Sequence, residues 1–94
     1  MKNSAIIRFL SKEEGGRLAP PMTGYKPQIK IENVLTSCII TPKDPSLTTM
    51  EFGIEHEVFI ELQYKELYSQ SVDKGMVVCL YEGTRLIGHG SITD

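Results

Sequence analysis

Residues 55–64, EHEVFIELQY, hold the clearest pattern in the chain. Val58, Ile60, Leu62 and Tyr64 fall on one side of an extended backbone, and Glu57, Phe59, Glu61 and Gln63 fall on the other. A period of two marks a half-buried strand, because successive side chains leave a pleated backbone on opposite faces. The segment therefore predicts a strand with one face in a core, and its neighbours on both sides repeat the pattern.

Toward the N-terminus, residues 5–10 place Ala5, Ile7 and Phe9 on one face and Ile6, Arg8 and Leu10 on the other. Residues 27–34 alternate Ile29 and Ile31 with Gln28, Lys30 and Glu32, and residues 37–41 give a short strand through Cys38, Ile39 and Ile40. Toward the C-terminus, residues 76–81 and 85–93 read as two strands joined by Glu82-Gly83-Thr84, with glycine supplying positive φ in a hairpin turn. In the last strand Leu86, Gly88, Gly90 and Ile92 share one side, opposite Arg85, Ile87, His89 and Ser91. Inward glycines there would let backbones pack closely. No long helical periodicity occurs; residues 65–74 offer at most a helical turn, weakened by Ser69, Gln70 and Ser71. Six short strands without helices predict an all-β antiparallel barrel or sandwich.

Ninety-four residues suffice for one domain, able to remove about 64% of its extended surface from water. With 40% hydrophobic and 23% charged residues the composition is that of an ordinary globular domain. No apolar stretch approaches the ~20 residues of a membrane span, and Arg8 interrupts the apolar run near the N-terminus, so neither anchor nor signal peptide is expected. Two cysteines, Cys38 and Cys79, are too few for a disulfide framework. A cytoplasmic location with reduced thiols is the expectation. The net charge of -2 argues against bulk electrostatic binding of nucleic acid, yet its distribution is lopsided. Residues 1–30 carry six Lys or Arg against two Glu, and the remainder carries four basic against ten acidic groups.

Catalytic constellations are missing. Alternation turns His56 away from Glu55 and Glu57, so no metal ligand set forms on either face. Cys38 and Cys79 lie in apolar strands, where a free thiol behaves as a small buried hydrophobe. The carboxylate pairs Glu13–Glu14 and Glu55–Glu57 read as surface charge. There is no GxxxxGK[ST] and no GxGxxG, so no bound GTP, metal or other cofactor is expected. Two long connections remain, residues 11–26 and residues 42–53. The first is the better candidate for function, since structureless loops beyond ~12–15 residues are uncommon as mere connectors. Its Gly15-Gly16-Arg17 either lets the chain turn or presents backbone N–H groups to a phosphate oxygen.

Residues 10–28, LSKEEGGRLAPPMTGYKPQ, resemble the third, C-terminal β-barrel domain of translation elongation factor Tu, whose matching segment carries SKEEGGRH, then TP, two aromatics and GYRPQ. Residues 81–90, YEGTRLIGHG, resemble the REGGRTVGAG of that family's closing hairpin. The resemblance implies a six-stranded antiparallel closed barrel without catalytic activity. It further implies contact with tRNA or with a GTPase-type translation protein, carried by Arg17, Lys26, Gln28, Ser37, Glu82, Gly83 and Arg85, with Lys65 nearest to a further family lysine. The sequence departs from the family at Leu18, where a His stands, at Pro21 and Met22, which replace the aromatics, at Lys26, which replaces an Arg, and at residues 34–38, VLTSC, which replace TDVTG. A lysine lacks the planar fork of arginine, and lost aromatics remove rigid contact area. Three phosphate contacts alone would give a salt slope of only about -2 to -3. The alternative is a protein-interaction or regulatory barrel without nucleic-acid binding, in which Pro20, Pro21, Met22 and Tyr25 form an apolar contact patch.

Overall fold

A computed structural model describes residues 2–63 and 72–94. The alternating segments become six strands: β1 (Lys2–Phe9), β2 (Gln28–Ile31), β3 (Val34–Pro42), β4 (Glu55–Leu62), β5 (Val77–Glu82) and β6 (Arg85–Ile92). All pairings are antiparallel, and the sheet closes on itself in the order β1-β4-β3-β2-β5-β6. The expected six-stranded antiparallel barrel is thus the fold. Tyr64, Lys65 and most of the helical turn considered over 65–74 lie outside the described residues.

Period-two patterning builds the interior. Ala5, Ile7 and Phe9 of β1 meet Val58, Ile60 and Leu62 of β4, with Ile29, Ile40, Leu80 and Ile92 closing the ring, all of them buried. Each such aliphatic side chain stabilises the fold by roughly 1.5–3 kcal/mol relative to exposure. The loop at residues 43–54, which carried no recognised role in the sequence, contributes Met50 to this core with no exposed surface. That loop is fastened by His56, whose buried ring brings Nε2 to 2.8 Å from the Glu51 carbonyl oxygen and so donates to it. His56 does face away from the exposed Glu55 and Glu57, as alternation requires.

Three departures from the sequence reading have local causes. The strand expected over 27–34 stops at Ile31, because Glu32 adopts φ 56° and, with Asn33, turns the chain back into β3. The third strand consequently begins at Val34 rather than Ser37. In β6, Leu80 pairs with Gly88 but Tyr81 pairs with Leu86, so Ile87 is an extra, bulged residue. The bulge sends Ile87 into the core, fully buried, and leaves Leu86 half-buried opposite Tyr81, the reverse of the simple alternation. The inward glycines hold their expected place. A Cβ on Gly90 would lie 1.8 Å from the Ile6 carbonyl oxygen, so β6 approaches β1 at a distance only glycine allows.

Candidate functional site

The connection between β1 and β2 is ordered by its own sequence. A 3-10 turn at Lys12–Glu14 starts at Ser11, whose backbone N–H and hydroxyl donate to the Glu14 carboxylate at 3.1 and 3.3 Å. Glu14 also meets the Arg8 guanidinium at 3.5 Å, tying the turn to β1. Ser11 donation, above all from its backbone, holds the Glu14 carboxyl below its ordinary value. Gly15 ends the turn in the left-handed region at φ 88°.

The glycine-arginine bend has one use for its backbone. The N–H groups of Gly15, Gly16 and Arg17 donate to the carbonyls of Lys12, Ser11 and Leu10, at 2.9, 2.7 and 3.2 Å. All three donors are consumed internally, so the phosphate-cradle alternative falls and the turning role stands. Gly16 is required by contact as well, since a Cβ there would lie 2.0 Å from the Leu10 carbonyl oxygen.

Further along, the loop is stitched to its surroundings. Met50 N–H donates to the Pro21 carbonyl at 2.8 Å, Thr23 N–H to Thr48 at 2.9 Å, and Ile40 N–H to Tyr25 at 2.8 Å. Pro21 is buried and Tyr25 half-buried against the core, so the apolar patch considered for Pro20, Pro21, Met22 and Tyr25 does not assemble. Met22, 61% exposed, is presented to solvent, and so is Leu18 at 77%. Leu18 is a contact candidate that the sequence reading noted only as a departure from the family; its signal was a large apolar residue among glycine, arginine and proline.

Three of the candidate residues converge. The Arg17 guanidinium and the Tyr25 hydroxyl both donate to one carboxylate oxygen of Glu82, at the head of the β5–β6 turn. Arg17 also stacks over the Tyr25 ring, 4.7 Å from its centroid, and its Nε donates to the Ala19 carbonyl at 3.0 Å. The loop and the closing hairpin, 65 residues apart along the chain, thereby form one surface. Partial burial tends to raise the Glu82 carboxyl, but donation from Tyr25 and Arg17, with the charges of Arg17 and Arg85, outweighs it and leaves the carboxyl below its ordinary value. Burial first, then the hydrogen bond to Glu82, pushes the Tyr25 phenol well above its usual range, so it stays a neutral donor. Arg17 is raised: burial opposes its charge, and the contacts with Tyr25 and Glu82 more than offset that.

The other candidates surround this cluster. Arg85 is exposed and is the register partner of Glu82, and Gly83 between them adopts φ 63° in the tight turn the sequence predicts. Gln28 on β2 pairs with Ser37 on β3 and with Tyr81 on β5, placing Gln28 and Ser37 side by side on the outer wall. Lys26 is exposed just ahead of them. Lys65 lies outside the described residues.

The two thiols differ, contrary to the expectation that both are buried. Cys38 is fully buried, its Sγ 3.7 Å from the Pro27 carbonyl oxygen, and burial pushes it up to about 12. Cys79 stands half-buried on the outer face of β5. Among the described residues no group of three or more His, Cys, Asp or Glu is placed to hold a metal ion, and no helix is long and apolar enough to cross a membrane. A search of protein-family models finds none that matches the chain.

Proposed function

We propose that this chain is a non-catalytic binding module resembling the C-terminal barrel of elongation factor Tu, and that it docks on a GTPase-type protein of the translation apparatus. The observation that carries the reading is the Arg17–Tyr25–Glu82 cluster, which joins the loop and the hairpin that the resemblance assigns to one contact face. A rigid surface loses less conformational freedom on binding than a mobile loop would. The choice of a protein over an RNA backbone rests on the character of that face. Its principal cation, Arg17, is already paired with a carboxylate, Glu13 and Glu14 lie on the same loop, and Leu18 and Met22 offer apolar anchors.

A second reading, contact with tRNA, is favoured by the exposed Lys26 and Arg85 beside the Gln28–Ser37 pair. The two separate in a titration of isotopically labelled protein, once with a nuclease-treated translation GTPase and once with tRNA at low salt. Resonances of Leu18, Met22 and Gly83 that move only with the GTPase, with those of Leu18 and Gly83 staying still in Met22→Asp, support the protein partner. Movement confined to tRNA around Lys26 and Arg85 transfers the site to RNA, and stillness in both titrations refutes the module.

A further inference from the structure

We infer that Arg17 is a positioning residue and not a contact for the partner: its side chain fixes the tip at residues 18–20 that presents Leu18. This role rests on the docking face proposed above and says how that face keeps its shape. Among the described residues, no backbone hydrogen bond within the chain holds Leu18, Ala19 or Pro20. The main-chain ties stop on either side of them. The Arg17 N–H donates to the Leu10 carbonyl at 3.2 Å, and the Pro21 carbonyl accepts from Met50 at 2.8 Å. Packing adds little, since Leu18 is 77% exposed and Ala19 is exposed beside it.

One guanidinium spans the gap. Its Nε donates to the Ala19 carbonyl at 3.0 Å, its Nη1 donates to Glu82 on the closing hairpin, and its carbon lies over the Tyr25 ring, 4.7 Å from the centroid. The first bond folds the tip back onto Arg17. The other two contacts fix that arginine to elements that are themselves anchored: Glu82 ends β5, and the Tyr25 carbonyl accepts from the Ile40 N–H of β3. Three engagements in different directions need the planar fork of arginine, whereas the ammonium of a lysine is a compact point charge. The Arg17 charge is answered within the chain, so an anionic group of a partner would have to displace Glu82 to gain from it. An exposed leucine on an ordered tip, by contrast, binds with less loss of conformational freedom than one on a free tip. The partner feature that this tip fits is an apolar pocket for Leu18.

The test begins without a partner, by nitrogen-15 relaxation of the labelled full chain. In the wild type the Leu18 and Ala19 amides should show order parameters of about 0.85, as a rigid backbone does. In Arg17→Lys, Arg17→Met and Glu82→Ala they should fall below about 0.6, with the core resonances of Val58 and Ile60 unmoved. The Arg17 Nε–H signal, protected by Ala19 in the wild type, should lose its protection in Glu82→Ala. Binding of a nuclease-treated translation GTPase is then measured on the same four proteins. Arg17→Lys should weaken it about tenfold, the cost of ordering roughly one residue, and by as much as Arg17→Met does. Glu82→Ala, which leaves the Arg17 charge free, should weaken it too. Unchanged tip order in Arg17→Lys overturns the inference, and so does wild-type affinity in Arg17→Lys or tighter binding in Glu82→Ala, the marks of a direct charge contact. A GTPase that binds none of the four, beside the expected relaxation result, removes the docking reading and leaves the positioning role standing.

Discussion

The Glu82 carboxylate accepts from two donors of the β1–β2 loop, and its acidity follows from them. Its carboxyl lies below the ordinary 4.5 in the folded protein, whereas the unfolded chain restores that value. A depressed folded value contributes stability that is present above about 4.5 and is lost as pH falls through the lower folded value. Glu82→Gln keeps an acceptor for Tyr25 and removes the charge. At pH 7 it should be less stable than the wild type by no more than about 1 kcal/mol, because the pair is partly open to solvent. Urea midpoints measured from pH 7 downward should converge once the pH is below the lowered folded value of Glu82; a gap that persists there, or none at pH 7, denies the linkage. None of this was visible along the sequence. The resemblance offers Arg17 and Glu82 as separate contact residues, and only the closure of the barrel brings them within reach of one another and of Tyr25.

Strands were the most legible elements, since β4 and β1 bury one face and leave the other open, and period two reports that asymmetry directly. The errors sit where one residue leaves the extended conformation. Glu32 turns the chain at φ 56°, a position where glycine would have announced the turn and only the following Asn33 hints at it, and Ile87 bulges inside a run that alternates well on paper. The loop at 43–54 was opaque for another reason: a lone Met50 between polar neighbours has no period, and its burial depends on the barrel end it fills. The Glu32 turn carries a prediction. A left-handed conformation costs a non-glycine residue roughly 1–2 kcal/mol, so Glu32→Gly should stabilise the protein by about 0.5–1 kcal/mol after the added freedom of the unfolded chain is deducted. A rise in the thermal midpoint checks it; a fall would mean that the Glu32 side chain supplies a contact worth more than the strain.

At the scale of the molecule, the ring of strands makes the interior a single compartment. Cys38 faces into it from β3 and is held as a neutral thiol, pushed up to about 12 by burial. Its labelling by a small thiol reagent in a Cys79→Ser background should therefore require the ring to open. The rate should fall with increasing stability and carry the full denaturant dependence of global unfolding. A dependence clearly shallower than that would reveal a local route into the barrel.

Every described strand is hydrogen-bonded to a neighbour on each side. Among the described residues no strand stands as a free edge of the sheet, so an extended peptide finds no edge strand there to extend, and recognition by β-augmentation is disfavoured. A partner of that described wall reads side chains and loop tips, so specificity there rests on a handful of exchangeable surface residues, free to diverge while the cylinder beneath them stays the same.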